Sequence, residues 1–193
     1  MKKIICVVGR SGAGKDSFVD RASRKYQIPV LRSYTDRPIR PTEIEGREHK
    51  FVTKQKMNKI LEKEDILAYT EINNNRYCCT CNQLEDIEDN FVFYVINPEG
   101  IKYLQEKHQD KYDLSIISIQ SEESIRRKRL NRRGDAKHVI NKRFLSEDEQ
   151  FTIFEENSNN YTYRIDNNSK LDESYEDFAF IIQNILSEPS FSN

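Results

Sequence analysis

A short apolar run that ends in a glycine-rich turn constrains the fold of this chain more than any other feature of its sequence. Residues 4–8 are aliphatic apart from one cysteine, which is typical of a buried parallel strand. Residues 9–17 follow with the spacing G-x-x-x-x-G-K, and a helical pattern begins at Lys15. Glycines let successive backbone N–H groups point at one anion, and the start of a helix adds the positive end of its dipole. A strand, this turn and a helix in this order predict a P-loop, which binds nucleotide phosphates.

The residues of this loop have distinct expected roles. Lys15 supplies a mobile cation for the terminal phosphates of a nucleotide. The residue after the lysine is usually a serine or threonine whose hydroxyl reaches Mg²⁺, but here it is Asp16, followed by Ser17. Two alternatives stay open: Asp16 and Ser17 hold Mg²⁺, or Asp16 caps the helix while phosphates and waters hold the ion. The predicted contacts with ATP are Gly9, Ser11, Gly12, Ala13, Gly14, Lys15, Asp16 and Ser17.

Strand and helix patterns alternate along the rest of the chain. Further strands are predicted at 28–31, 51–52, 91–96, 114–119 and 161–165. Helices are predicted at 15–26, 54–63, 98–107, 122–132 with Ser121 as N-cap, 136–156 and 171–187. This alternation predicts an α/β fold with a mainly parallel central sheet flanked by helices. Two strands at 66–72 and 76–79 have no helix between them and predict a small antiparallel insert, while residues 33–50 are predicted to be a loop.

Composition excludes several classes of protein. Lysine and arginine number 31 against 32 aspartates and glutamates, so the net charge of −1 argues against a basic nucleic-acid coat. The sequence contains no apolar run of about 18 residues that could span a membrane. Four cysteines in 193 residues do not make a disulfide framework. We therefore expect a soluble, cytoplasmic protein with no membrane or nucleic-acid partner.

A second anion site is indicated downstream of the P-loop. Arg37 and Arg40 lie in a segment that also carries Ser33, Tyr34 and Thr35. Two guanidinium groups with nearby hydroxyls can hold a phosphate through several charge-assisted hydrogen bonds. Taken by itself, the segment is better interpreted as an exposed charged loop.

Together, these segments resemble the guanylate kinase family from about residue 4 to residue 186. The likeness rests on G-R-S-G-A-G-K, S-Y-T-D-R-P-I-R-P-T-E-I-E-G-R-E-H-K-F, N-N-N-R-Y-C-C-T, P-E-G-I-K, R-L-N-R-R-G, I-N-K-R-F and Y-T-Y-R-I-D-N-N. It implies one P-loop kinase domain with a core (1–33, 91–126 and 146–188), a substrate-binding insert (34–90) and a helical lid (127–145). It also implies phosphorylation of a nucleoside monophosphate by ATP with Mg²⁺, in a monomer or homodimer.

The resemblance assigns the acceptor site residue by residue. Ser33, Arg37, Arg40 and Tyr77 match ligands of the acceptor phosphate, and His49 stands where the family has a phosphate-binding tyrosine. Asn167, in the last matching stretch, is implied as an ATP contact.

The residues at the positions that contact the base differ from those of the family. Ala68, Cys79 and Asn97 occupy the positions where the family reads guanine with a glutamate, a serine or threonine, and an aspartate. Both acids are absent, and Glu71 is a candidate replacement. GMP or dGMP is the first expectation; another nucleoside monophosphate, deoxynucleoside monophosphate or ribose 1,5-bisphosphate is the alternative.

Residues 126–133 contain six basic positions in eight. The resemblance implies that Arg129, Arg133 and Arg143 belong to the lid and, with Lys15, neutralise charge during transfer. Arg127 and Lys128 are expected to point to solvent. A nucleic-acid face is disfavoured because the chain as a whole is not basic.

Cys78 and Cys81 have the C-x-x-C spacing of zinc and redox sites. Zinc needs about four ligands, and no second pair exists while the three histidines are scattered. These cysteines are therefore expected to be small residues beside the acceptor base, with Cys79 in the pocket. A non-catalytic interaction module remains a rival, although Lys15 and its glycines argue against it.

Overall fold

The computed structural model describes residues 1–40, 43–169 and 171–188. Within these residues the chain forms nine strands, seven α-helices and one 3₁₀ helix at Ser158–Asn160. The strands are β1 (Lys3–Val8), β2 (Val30–Leu31), β3 (Tyr34–Thr35), β4 (Lys50–Phe51), β5 (Ile66–Ile72), β6 (Asn75–Thr80), β7 (Phe91–Val95), β8 (Asp113–Gln120) and β9 (Tyr163–Asp166). The helices are α1 (Lys15–Tyr26), α2 (Lys54–Lys63), α3 (Cys81–Glu85), α4 (Pro98–His108), α5 (Glu123–Arg132), α6 (Lys137–Glu156) and α7 (Leu171–Ser187).

The central sheet has five parallel strands in the order β2-β7-β1-β8-β9. Cys6 of β1 lies opposite Tyr94 of β7 and Ile116 of β8. Because parallel strands end at one edge, the residues after β1 and β7 lie side by side there, which brings Gly9 near Asn97. The predicted α/β fold with a mainly parallel sheet is confirmed.

Both faces of this sheet are buried, which explains why β1 is a continuous apolar run rather than an alternating one. Ile4 packs on one face with Leu104 of α4 and Phe151 of α6. Ile5 packs on the other face with Phe18 of α1 and Phe178 of α7. Each such side chain contributes about 1.5–3 kcal/mol when fully buried, so the two layers fix the P-loop at the end of β1.

The predicted antiparallel insert is a second sheet with the order β4-β3-β6-β5. β5 and β6 join through Asn73 and Asn74, whose φ values of 52° and 61° are the left-handed conformation that asparagine tolerates. Residues 33–50, predicted to be a loop, contain β3 and half of β4. β3 depends on its pairing with β4 and β6, so local sequence gave no signal for it, whereas β4 overlaps the strand predicted at 51–52.

A strand start, an unpredicted helix and a helix cap also differ from the sequence predictions. β2 begins at Val30 rather than at residue 28, because Pro29 has no N–H to donate to a ladder. α3 was not predicted, although Thr80 and Gln83 form a capping box at its start. Ser121 is not the N-cap of α5: its hydroxyl donates instead to the carbonyl of Asn167 at 2.9 Å.

α6 continues without a break across residues 145 and 146, where the lid was predicted to end. The predicted bounds of insert and lid therefore stay predictions. In the described parts of the chain, no helix combines the length and apolar character needed to cross a bilayer.

Candidate active site

The loop after β1 has a backbone that favours glycine at two positions. Gly12 and Gly14 have φ values of +81° and +101°. A Cβ on Gly14 would lie 2.5 Å from Nδ2 of Asn167, so a larger residue would displace that side chain. Gly14 is also the N-cap of α1. Because glycine has no side chain to cap the first turn, the N–H groups there are left for an anion.

Two side chains hold the carbonyl groups of this loop. Asn167, which is fully buried, donates from Nδ2 to the carbonyl of Ala13 at 2.7 Å. Arg129 donates to the carbonyls of Gly12 and Ala13 at 3.3 and 3.4 Å, and to Oδ1 of Asn167 at 3.2 Å. Both residues thus support the loop. Two further roles stay predictions: that Asn167 contacts ATP directly, and that Arg129 contacts the transferred phosphoryl group.

Lys15, Asp16 and Ser17 line the cleft in front of the loop. Nζ of Lys15 lies 3.9 Å from Oδ2 of Asp16, whose side chain is 63% exposed. An accessible carboxylate and hydroxyl are oxygen ligands of the kind that Mg²⁺ prefers. The donor set therefore fits the ion that the P-loop implies.

A carboxylate from α6 reaches the same loop. The backbone N–H of Ser11 donates to Oε2 of Glu147 at 2.9 Å, and the Ser11 hydroxyl donates to Oε1. Sequence reasoning missed Glu147, because it is one acid among several in that helix and the contact joins residues 136 positions apart.

The second anion site is built around a buried arginine. Arg37 is 7% exposed, and its Nε lies 3.0 Å from the hydroxyl of Tyr77. Its Nη1 and Nη2 donate to both carboxylate oxygens of Glu43 at 2.7 and 2.6 Å. The backbone N–H of Arg40 also donates to Glu43 at 2.9 Å. Burial raises the pKa of Glu43, but the bonds from Arg37 and Arg40 outweigh it and lower that pKa to about 2.

Arg143 adds a third positive charge to this site. Burial and the charges of Arg143 and Arg37 lower the pKa of Arg40 to about 10. Nη1 of Arg143 donates to Asp135 at 3.0 Å, and Arg133 pairs with the same carboxylate. Nη2 of Arg143 is buried and has no hydrogen-bond partner among the described residues. Clustered guanidinium groups with an unpaired buried donor form a site for an anion.

Ser33 and His49 lie at the edge of this site. The hydroxyl of Ser33 is hydrogen-bonded to that of Tyr94 at 2.9 Å. The ring of His49 packs edge-on against Tyr77, with centroids 5.4 Å apart. Burial and the charge of Arg37 lower the pKa of His49 to about 4. His49 is therefore neutral at pH 7, so the protonated form that would bind phosphate better is not present without a ligand.

The residues predicted to read the base lie beside polar side chains that the sequence did not indicate. Cross-strand pairs of β5 and β6 place Thr70 with Tyr77 and Ala68 with Cys79 on one face. Glu71 pairs with Arg76 on the alternate side of the strand but also lines the cleft, so its role as the replacement acid stays a prediction.

The side chain of Thr70 links Glu99 to Asn97 at the edge of the cleft. Its hydroxyl donates to Oε2 of Glu99 at 2.7 Å and accepts from Nδ2 of Asn97 at 3.1 Å. Asn97 also donates to Gln150 at 3.2 Å, and its Oδ1 caps α4. Sequence reasoning missed Thr70 and Glu99, although the alternation of β5 could have indicated Thr70.

A single cleft of about 1290 Å³ connects the two anion sites. Drug-sized ligands fill pockets of about 300–1,000 Å³, so the cleft can hold two nucleotides. The residues that line it include most of the predicted site: Gly9, Ser11, Gly12, Gly14, Lys15, Asp16, Ser17, Ser33, Arg37, Arg40, His49, Glu71, Tyr77, Asn97, Arg129, Arg133 and Arg143. Ala13, Cys79 and Asn167 are fully buried behind its surface.

The basic side chains of α5 contact different residues of the protein. Arg126 is buried over the ring of Phe144, with its guanidinium carbon 4.3 Å from the centroid. Arg127, expected to face solvent, lies 4.2 Å from the same centroid and donates to Glu123. The Arg127 side chain is still 38% exposed, so the ring contact leaves part of it facing solvent, and Lys128 is exposed as expected.

Comparisons with known proteins agree with this geometry. The guanylate kinase family model matches residues 1–185. The guanylate kinase of Vibrio vulnificus (strain YJ016) is 31% identical over 179 residues, which cover 90% of this chain and 83% of that protein. The guanylate kinase of Aliivibrio fischeri (strain ATCC 700601 / ES114) is 30% identical over the same shares. The crystal structure of guanylate kinase from Anaplasma phagocytophilum has the same fold, with a TM-score of 0.67 at 18% identity, covering 97% of this chain and 87% of that one.

These matches support an enzyme, a nucleoside monophosphate kinase. They do not favour a non-catalytic interaction module or a kinase for ribose 1,5-bisphosphate. The chain belongs to the guanylate kinase family.

Proposed function

We propose that this enzyme transfers the γ-phosphoryl group of ATP to GMP or dGMP. The observation that carries the proposal is one cleft lined both by the P-loop residues Gly12 and Lys15 and by the arginine pair Arg37 and Arg40. Each side suits a phosphate, and their common cleft suits direct transfer between two bound phosphates. The names of the relatives point to the same acceptor.

The reaction does not require a general base. The nucleophile is an oxygen of the acceptor phosphate, which is already ionised at neutral pH. A new P–O bond forms to that oxygen while the bond between the β-phosphate oxygen and the γ-phosphorus breaks, and ADP leaves. Catalysis then rests on positioning and on neutralising charge, by Lys15 at the donor and by Arg143 near the acceptor.

Mg²⁺ fits the same proposal. Asp16 and Ser17 would hold it, directly or through water, because both side chains are exposed in the first turn of α1. The bound ion supplies charge neutralisation on the phosphates of ATP.

Thr70 and Glu99 are proposed to read the base. Guanine presents N1–H and N2–H donors, and a carboxylate accepts both, whereas adenine presents an acceptor at N1. The Thr70 hydroxyl holds the Glu99 carboxylate at 2.7 Å beside Asn97, where the family's two acids are missing. Hydrogen bonds to a charged group are worth about 1.5–3 kcal/mol, so Glu99 can supply much of the preference for guanine.

A cytoplasmic location and a monomeric or homodimeric state belong to the same proposal. All four cysteines are free thiols, which suits a reducing compartment.

An ADP-release assay tests the activity across all ribo- and deoxynucleoside monophosphates and ribose 1,5-bisphosphate. We expect the highest kcat/KM with GMP or dGMP. Glu99→Gln should lower kcat/KM for that substrate by about 10- to 100-fold. The matched control, Glu106→Gln, is an exposed change farther along α4 and outside the cleft lining, and it should change kcat/KM less than twofold. A folded protein that phosphorylates none of these compounds contradicts the kinase, and equal effects of the two variants contradict the role of Glu99.

A further inference from the structure

Three side chains with different metal-binding atoms meet outside the nucleotide cleft. One ligand atom each of Asp65, Cys81 and His108 lies within 4.8 Å of the other two. Asp65 precedes β5, Cys81 is the first residue of α3, and His108 is the last residue of α4. The cluster therefore joins the insert to a helix that packs on the central sheet.

The imidazole of His108 is oriented for this role. It is 5% exposed, and its Nε2 lies 2.8 Å from the carbonyl oxygen of Ile66. Because a carbonyl can only accept, the tautomer of the neutral ring has its proton on Nε2 and its lone pair on Nδ1. Nδ1 is buried and has no partner among the residues that the structure describes. A histidine that binds a metal through one nitrogen commonly donates its other N–H to a backbone carbonyl.

The thiol of Cys81 is held close to the carboxylate of Asp65. Cys81 is 4% exposed, and its backbone N–H donates to the carbonyl of Asp65 at 2.8 Å. Burial and the neighbouring Asp65 raise the pKa of the thiol to about 11. The thiol is therefore protonated without a metal, and binding would release its proton to solvent.

The cluster has a route to solvent on one side. The Asp65 side chain is 63% exposed, and Nζ of Lys111 lies 4.0 Å from its Oδ2. The Lys111 side chain is itself 60% exposed. A surface ion pair of this kind contributes only about 0–1 kcal/mol, so a metal ion can displace Lys111 from Asp65.

We propose that Asp65, Cys81 and His108 form a site for a zinc-class divalent cation. Thiolate, imidazole and carboxylate are the ligands of zinc, and a water can take the fourth tetrahedral position. Mg²⁺ is disfavoured because it prefers oxygen ligands. The C-x-x-C spacing did not reveal this site, because Cys78 is not a member and the partners of Cys81 lie 16 and 27 residues away. The inference is independent of the proposed kinase activity.

Cobalt titration of the full-length, nucleotide-free protein tests the proposal. Co²⁺ bound to a thiolate gives a charge-transfer band in the near ultraviolet, which we expect to saturate at one equivalent and to disappear when Zn²⁺ is added. Cys81→Ala should abolish the band. Cys78→Ala, which removes a buried thiol three residues away, should keep it.

A second pair of variants avoids changes in the core. Asp65→Asn alters an exposed side chain and should weaken Co²⁺ binding by more than about tenfold. Replacing a residue that only hydrogen-bonds a metal ligand already lowers metal affinity by about that much. Glu62→Gln, an exposed change in the preceding helix, should leave it unchanged. Absence of stoichiometric binding in the wild type, a band retained in folded Cys81→Ala, or unchanged affinity in Asp65→Asn would each overturn the proposal.

Discussion

The backbone N–H of Ser11 donates to the carboxylate of Glu147 at 2.9 Å, so α6 places a negative charge on the loop that is built to bind phosphate. The Ser11 hydroxyl donates to the same carboxylate. Only one anion can accept from these donors at a time. If ATP binds to this loop as proposed, it displaces Glu147, and α6, which also carries Arg143, is then coupled to occupancy of the loop.

Removing this carboxylate should tighten ATP binding. Glu147→Ala frees the N–H of Ser11, and a charged hydrogen bond of about 1.5–3 kcal/mol no longer competes with the nucleotide. We expect the Kd for ATP, measured by calorimetry, to fall by about 10- to 100-fold. Glu156→Ala, at the exposed end of the same helix, is the control. A weaker affinity in Glu147→Ala would show that the carboxylate supports ATP binding instead.

Lys15→Ala should impair transfer more than folding. Its ammonium group lines the cleft at the P-loop, where a positioned donor stabilises developing charge. Loss of one such donor costs about 10²–10³ in kcat. Steady-state kinetics measure this loss, and thermal unfolding should show a stable protein. A kcat within threefold of the wild type would remove Lys15 from the mechanism.

The acceptor site should require the bidentate hydrogen bonding of an arginine at position 37. Arg37 contacts Tyr77 and both oxygens of Glu43, which a lysine cannot reproduce. Arg37→Lys keeps the charge but should raise the KM for the monophosphate by about tenfold or more. The Kd for ATP should stay unchanged. Arg164→Lys, outside the cleft lining, serves as control, and equal effects on both nucleotides would contradict an acceptor-specific role.

His49 should make stability depend on pH. Its pKa is about 4 in the folded protein, below the usual value of about 6.5 in an unfolded chain. The unfolded state therefore binds the proton first, and stability is lost as the pH falls below 6.5 toward 4. When the pH is lowered from 7.5 to 5, His49 should reduce the free energy of unfolding by up to about 2 kcal/mol.

Urea unfolding of the wild type and His49→Phe at both pH values measures that contribution. The variant should lose less stability than the wild type on acidification. In NMR titrations the pKa of His49 should rise when the phosphate of GMP binds nearby, because a negative charge favours the protonated ring. A pKa near 6.5 in the free protein would contradict the buried, neutral state.

Local sequence determined the P-loop, on the side of the cleft where ATP is proposed to bind. The strand, the glycines at positions 12 and 14, Lys15 and the start of α1 are contiguous, so spacing and backbone conformation suffice to predict the loop. The alternation of strand and helix patterns likewise predicted the parallel sheet, and burial on both faces leaves a continuous apolar signal in β1 and β7.

Tertiary structure decided what contacts these elements across the chain. Glu147 reaches Ser11, Thr70 holds Glu99, and Cys81 meets His108 only because helices and the second sheet bring distant residues together. The two-residue strand β3 exists by pairing rather than by propensity. Such contacts have no fixed spacing, since their geometry depends on how whole elements pack, and a single sequence carries no local pattern for them.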